Sequence, residues 1–293
     1  MERIAENVYI EKKYDGVNVG AILTTQGIIA VDVPSYPRQA RDWAMRLRSL
    51  SPRPLLFTIL TDYNGDRILN SRWLNAPIAA HQITADKIYK YGKHYPSHIL
   101  ESLTARHPLN GRNLSSTPVD KPAVSFTRQM SILKGNTDVV LTAAPGPTTG
   151  NLWVYLPRQK ILFAGDTVTT DWHPLFLEGT SKQWLETLNR LQQWPERLHT
   201  IVSGRGGAVT DETIPLMQCY LHALRSRIQQ HIHDYHCREE IAQYIPDLLD
   251  MFPLNGLPAD WLRSQIKRSL DHVYDEIQLE KNKEEATPMQ PEL

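Results

Sequence analysis

Leu55-Leu56-Phe57-Thr58-Ile59-Leu60 is a run of strand length, bounded by Pro54 and by the polar cluster Thr61-Asp62-Tyr63-Asn64-Gly65-Asp66-Arg67. A continuous apolar run this short, closed by turn residues, predicts a strand buried on both faces. It is expected to end on a loop crowded with carboxylates, an amide and a guanidinium. Upstream, Asn7–Ile10, Val19–Leu23 and Ile28–Val33 are β-branched runs separated by the turn signals Asp15-Gly16 and Gln26-Gly27. Between them and the deciding run, Ala40, Trp43, Ala44, Leu47 and Leu50 share one face of a helix predicted over Pro37–Leu50.

Downstream the pattern is less regular. Ile68–Leu74 predicts a short helix and Ala76–Ala80 a short buried strand, while Thr84–Arg106 is helical with breaks at Gly92 and Pro96. Pro108–Pro122, rich in Asn, Ser, Pro and Gly, reads as a long loop suited to a lid or rim. Strands resume at Val124–Phe126, Met130–Leu133, Asp138–Ala143, Leu152–Leu156 and Lys160–Ala164. A helix capped by Ser181 follows over Ser181–Gln193, and His199–Val202 is a last strand. From Asp211 the chain is helical to about residue 280, with a break at Phe252–Pro258, and the charged residues beyond predict a disordered tail. Two β-rich halves with outer helices predict a layered α/β (α+β) sandwich followed by a helical extension.

Composition sets the outer bounds. Of 293 residues, 41% are hydrophobic and 22% charged, as in an ordinary globular protein with a buried core. Lys+Arg and Asp+Glu balance at 32 each, so no global field draws the chain to nucleic acid or to an acidic membrane. The Met1–Glu6 segment has acidic residues where a signal peptide places positive charge and then an apolar run, and no stretch reaches the roughly 18 apolar residues of a membrane span. A cytoplasmic protein is expected. Cys219 and Cys237 lie outside any zinc-binding spacing and read as free thiols in a reducing compartment.

Four segments in order resemble the metallo-β-lactamase superfamily. Its members carry Thr-His-x-His-x-Asp-His after an apolar strand, then Pro-Gly-His-Thr-x-Gly, Phe-x-Gly-Asp and Gly-His-Gly. Here the corresponding segments are Thr61–Arg67, Ala144-Pro145-Gly146-Pro147-Thr148-Thr149-Gly150, Phe163-Ala164-Gly165-Asp166 and Ser203-Gly204-Arg205-Gly206. Asn7-Val8-Tyr9, Asn18 and Gly27–Asp32 are similar to the family's first strands. The resemblance covers residues 1–210 and implies a four-layer αββα sandwich with its site at one edge of the sheets. Residues 211–280 look like the helical appendage of some members, and 281–293 are expected to be the disordered tail.

The family's chemistry needs a metal-lowered water pKa and metal-held oxyanions. In this chain the five imidazole positions are Asp62, Asn64, Arg67, Pro147 and Arg205, while the two aspartate positions stand as Asp66 and Asp166. Proline offers no side-chain donor atom, and a guanidinium does not bind a cation. No metal or other cofactor is therefore expected. Arg67 and Arg205 are expected to face Asp62, Asp66 and Asp166, replacing the metal charge by bidentate ion pairs. The alternative is a single hard cation (magnesium, manganese or calcium) on Asp62, Asn64, Asp66 and Asp166, though the loop lacks the closing glutamate of calcium sites.

Other residues carry weaker signals. His81 and His173, expected near the cleft rim, are candidates for a general base or a substrate contact, against a structural role for each. His231, His233 and His236 read as a solvated helix surface. Ser203 and Thr148 lack a nucleophile motif and a base, and Gly204-Arg205-Gly206-Gly207 lacks the Lys-Ser/Thr of a phosphate loop. Trp153, Trp172, Trp184 and Trp194 read as core or rim aromatics. The functional expectation is a pseudoenzyme that binds a small anionic ligand or a protein partner, with a homodimer through the C-terminal helices as an option. The alternative is a hydrolase of altered mechanism or metal that cleaves an ester, lactone or thioester.

Overall fold

A computed structural model describes residues 1–114 and 117–286. Among them, strands β1 (Glu2–Ala5), β2 (Val8–Glu11), β3 (Val19–Leu23), β4 (Ile28–Val31), β5 (Leu55–Leu60), β6 (Ile78–His81) and β7 (Val124–Phe126) form one sheet in sequential order. The first four are antiparallel, and β4 to β7 run parallel. A second sheet takes the order β12-β11-β10-β9-β8. Its strands are β8 (Gln129–Lys134), β9 (Thr137–Ala143), β10 (Leu152–Leu156), β11 (Ile161–Thr169) and β12 (Thr200–Arg205), with β11 and β12 parallel.

Three apolar layers hold the sandwich. Ile29, Val31 and Ile59 of the first sheet face Val139, Leu141, Val154 and Phe163 of the second in one buried cluster. Each such fully buried side chain contributes about 1.5–3 kcal/mol. Helix α1 (Pro37–Leu50) lays Ala40, Trp43, Ala44 and Leu47 on the outer face of the first sheet. Helix α6 (Ser181–Gln192) covers the second sheet with Trp184, Leu188 and Leu191. The architecture is the expected αββα sandwich.

The parallel pairs need crossovers, and the crossovers bring the site together. Between β5 and β6 lies the short helix α2 (Gly65–Ile68), followed by a 3-10 turn over Ser71–Leu74. Between β6 and β7 come α3 (Gln82–Lys90), α4 (Ser97–Arg106) and α5 (Pro108–Gly111). The expected Pro108–Pro122 loop thus opens with one helical turn, because Pro108 is pre-set for a helix start. Its residues 115 and 116 lie outside the described residues.

Helix α7 (Thr213–His233) packs on β11 and α6, α9 (Ala259–Ala286) packs on α7, and α8 (Ile245–Leu249) packs on α9, in one apolar cluster that includes Met217, Leu221, Leu224, Leu262, Ile266 and Leu270. The expected tail at 281–293 requires correction, since α9 runs to Ala286. Extending a packed helix costs no new nucleation, and Lys and Glu are good helix formers. Residues 287–293 lie outside the described residues. No helix of the described residues is long and apolar enough to cross a membrane.

Three local readings also change. The α6 cap is Thr180, whose side chain accepts from the Gln183 amide, while Ser181 sits at the first helical position and donates to Glu276. β11 extends five residues past Ala164, with register shifts around Gly165. His231 is fully buried rather than solvated, held by the Tyr244 hydroxyl and the Cys237 carbonyl. The chain after α7 folds back over it in a 3-10 segment, Arg238–Tyr244, which local periodicity does not foretell.

Candidate functional site

The site grows from strand ends. Asp32 follows β4 in the left-handed region (φ 58°), and its carboxylate accepts from the Thr61 amide at 2.8 Å and the Thr61 hydroxyl at 2.7 Å. That clamp fixes the start of the loop after β5. Asp62 Oδ1 then accepts from the Asn64 amide at 2.7 Å, and Asn64 caps α2 by accepting from the Asp66 amide at 3.1 Å. Asp62, Asn64 and Asp66 are therefore placed by local turn chemistry before any long-range contact is made.

Arg67 rises from α2 into the middle of this loop, fully buried. Its guanidinium touches Asp62 at 3.1 Å, Asp32 at 3.0 Å, and Asp166. Arg205, at the end of β12, donates from Nε to Asp166 Oδ1 at 3.0 Å and from Nη2 to Asp166 Oδ2. Its Nη1 donates to Asp66 at 3.0 Å. The structure thus brings Arg67 and Arg205 among Asp62, Asp66 and Asp166, and Asn64 also donates to Asp166 at 3.2 Å.

Two further members of this network are not among the residues singled out in the sequence. Arg106, the last residue of α4, grips Asp66 with both terminal nitrogens, one of them at 2.9 Å. Asn151 donates to Asp62 at 2.9 Å while its oxygen accepts from the amide and hydroxyl of Thr148. Asn151 follows Gly150 of the second motif, so its place was legible there; nothing near Arg106 signals a partner 40 residues away. Asp32 closes the Gly27–Asp32 segment already singled out in the sequence.

Four buried carboxylates facing three buried guanidiniums leave one negative charge in excess if all are ionised. The carboxylates do not share it evenly. Burial pushes Asp62 up to about 7, against the pull of Arg67 and with the help of Asp166 and Asp32. Burial likewise raises Asp32. Burial also acts on Asp66, but Arg106 and Arg205 outweigh it and hold the group down at about 2. Asp166 is lowered in the same way, by Arg205 and Arg67 against burial. A proton taken up by the raised pair Asp62 and Asp32 would cancel that excess.

This donor set does not fit zinc. Pro147 contributes only its carbonyl, which accepts from the amides of Leu177, Glu178 and Gly179. Each carboxylate oxygen that would face a cation faces a guanidinium, an amide or a hydroxyl instead. Among the described residues no three or more His, Cys, Asp or Glu side chains are grouped to hold a metal ion. The same geometry bears on the hard-cation set Asp62, Asn64, Asp66 and Asp166, where two permanent positive charges stand among the oxygens.

His81 and His173 differ in placement. His81 caps α3 by accepting from the Ile83 amide at Nδ1, and its Nε2–H donates to the Thr127 carbonyl at 2.8 Å. Both nitrogens are spent on structure. His173 is buried, donates from Nε2 to the Leu249 carbonyl at 3.0 Å, and has no protein partner at Nδ1. Burial lowers its pKa, keeping the ring neutral. Above the network lies a cleft of about 220 Å³, floored by Asn64, Asp66, Arg106, Asp166 and Arg205. Helices α4 and α9 wall it with Ile99, Leu103, Trp261 and Arg268, and His173 lines it as well. The extension therefore completes the site.

Comparison with known proteins agrees with this architecture. The sequence model described as the metallo-beta-lactamase superfamily matches residues 15–199. A hydroxyacylglutathione hydrolase from Bartonella henselae is 38% identical over 66 residues, covering 22% of this chain and 26% of that protein. The chain thus spans about a quarter of the length of that relative. A metallo-beta-lactamase type 2 from Pseudomonas aeruginosa is 24% identical over 218 residues, covering 71% and 74%. Among solved structures, a metallo-beta-lactamase family protein from Thermus thermophilus superposes over 96% of this chain and 95% of its own (TM-score 0.68, 15% identity). A metallo-beta-lactamase from Pontibacter korlensis covers 75% of this chain and 97% of its own (TM-score 0.59, 17% identity).

Proposed function

We propose that this chain, which belongs to the metallo-beta-lactamase superfamily, is a non-catalytic member that binds a small ligand in the cleft above a guanidinium–carboxylate network. One observation carries the reading: Arg67 and Arg205, at two positions where the resemblance implies metal ligands, direct their charges onto Asp32, Asp62, Asp66 and Asp166. A metal-activated water needs an open coordination position flanked by neutral donors. At the five positions where the resemblance implies imidazoles, this chain carries two fixed cations, an amide, a proline and one carboxylate, Asp62, which is engaged by Arg67.

One of the relatives named above is a hydrolase by name, and hydrolysis needs a base and an oxyanion site. Of the two imidazoles singled out in the sequence, His173 lines the cleft, neutral and anchored to Leu249, and His98 of the α4 wall lines it as well. Asp66 and Asp166 are held as anions by their arginines, which makes them counterions rather than proton acceptors. The cleft retains a shape that can enclose a ligand, with polar groups at its floor and apolar walls.

Elemental analysis of the purified protein after loading with zinc and with manganese tests this reading. Substoichiometric, chelator-labile metal and no turnover of lactone, thioester and β-lactam substrates are expected. Stoichiometric tightly held metal, or turnover abolished by Asp66→Ala, overturns it.

A further inference from the structure

Building on the reading of the cleft as a binding site, we infer that its ligand is a small organic carboxylate with an apolar body, its acid group held by Arg268 of α9. Charge narrows the choice first. Of the Lys and Arg side chains that line the cleft, Arg106 and Arg205 are paired with aspartates, and Lys87 pairs with Glu178 at 2.5 Å. Arg268 is exposed at the cleft wall and has no acidic partner among the described residues. One free guanidinium matches one carboxylate, which it can grip bidentately. Asp66, Asp166 and Glu178 line the same space and disfavour a polyanion such as a polyphosphate.

The walls describe the rest of the molecule. Tyr91, Ile99, Leu103, Leu175, Phe176 and Trp261 present apolar surface. A cavity of about 220 Å³ lies below the roughly 300–1,000 Å³ of drug-sized pockets, so the body is a short aliphatic chain or one aromatic ring. Two buried groups that line the cleft are also left incomplete. His173 Nδ1 and Arg106 Nε have no hydrogen-bond partner in the protein. A polar atom buried without a protein partner is completed by water or by a bound molecule, and these two sit where a ligand in the cleft can reach them. With Nε2–H donating to Leu249, His173 offers an acceptor at Nδ1, whereas Arg106 offers a donor.

Calorimetric titration of the full-length protein with octanoate, octylammonium, octanol and inorganic phosphate tests the inference, with tryptophan fluorescence as a second readout. Octanoate is expected to saturate one site, with the other three weaker by about tenfold or more. Arg268→Ala is expected to weaken octanoate by about tenfold, and Arg268→Lys to keep most of the affinity. Octanol or octylammonium binding as tightly as octanoate overturns the inference, as does an unchanged affinity in Arg268→Ala. Failure of octanoate, hexanoate and 3-phenylpropanoate to bind a metal-free protein sinks the carboxylate alone. Stoichiometric metal in the same sample, with Arg268-dependent octanoate binding intact, sinks the non-catalytic reading and leaves the carboxylate standing.

Discussion

Arg205 and Asp166 face each other across the parallel strands β12 and β11, with the Arg205 Nε–H 3.0 Å from Asp166 Oδ1 and a second donation from Nη2. The pair joins two strand ends by a planar fork on a carboxylate, in a setting where both side chains are buried. A charge buried this way costs several kcal/mol unless it is matched, so each partner becomes a condition for the other.

Arg67 tests that dependence most directly, because it serves Asp32, Asp62 and Asp166 together. Arg67→Met is expected to cost about 3–5 kcal/mol of unfolding free energy, as for a buried pair broken on one side. Urea titration followed by fluorescence measures it. A loss below about 1 kcal/mol would show that the network adds little to the fold.

The titration of Asp62 gives a second outcome, with a definite sign. Its folded pKa is raised from 3.8 to about 7 by burial, so the folded protein holds a proton that the unfolded chain releases. The associated stability is fully present below about 4 and is lost as pH rises to about 7, with a slope of at most about 1.4 kcal/mol per pH unit. Asp66 behaves oppositely: with a folded value of about 2, its contribution is present above 3.8 and lost as pH falls. The stability difference between the native protein and Asp62→Asn should therefore change between pH 4 and 7 and flatten above. A difference that does not vary over that window refutes the protonated Asp62.

Legibility in the sequence followed the range of each interaction. Helix α1 and strand β5 have the bounds that periodicity and turn residues predict, because both are decided by local pattern and burial. Asp62, Asn64 and Asp66 were equally legible as a cluster, since their loop is organised by side chain–backbone bonds within two residues. Arg106 was not, because its partner Asp66 is brought to it only by the packing of α4 beside α2. The burial of His231 is hidden from local pattern for a related reason: its cover, Cys237 and Tyr244, arrives after the helix has ended. The C-terminal extent of β11 depends on pairing with β12 across Gly165, whose φ of 54° lies outside the strand region.

Chelation supplies a third outcome. A fold stabilised by bound zinc loses the linked binding energy when the metal is withdrawn. A fold stabilised by guanidinium–carboxylate pairs does not. Thermal unfolding midpoints in excess chelator and in added zinc are expected to agree within about 1 °C, well inside the roughly 2–4 °C that about 1 kcal/mol produces in a chain of this size class. A larger drop in chelator would place a metal in the protein.

The crowding around the network yields the last outcome, from two glycines with nearly the same backbone. Gly16 and Gly92 have φ of 77° and 70°, and alanine in that region costs about 1–2 kcal/mol at either place. Their surroundings differ. A methyl group at Gly16 would lie 2.6 Å from Arg106 Nη2 and 2.8 Å from Asp66 Oδ1, whereas at Gly92 nothing lies within 4 Å. A flexible arginine at the surface would swing aside cheaply. Arg106 is buried and gripped by Asp66 through two nitrogens, so moving it loosens the pair. Gly16→Ala should therefore destabilise the protein by about 1–3 kcal/mol more than Gly92→Ala, the usual range for overpacking. Parallel urea titrations of the two variants measure the difference. Equal losses would mean that the Arg106–Asp66 pair yields without cost, and that the helix carrying Arg106 is not fastened to the network.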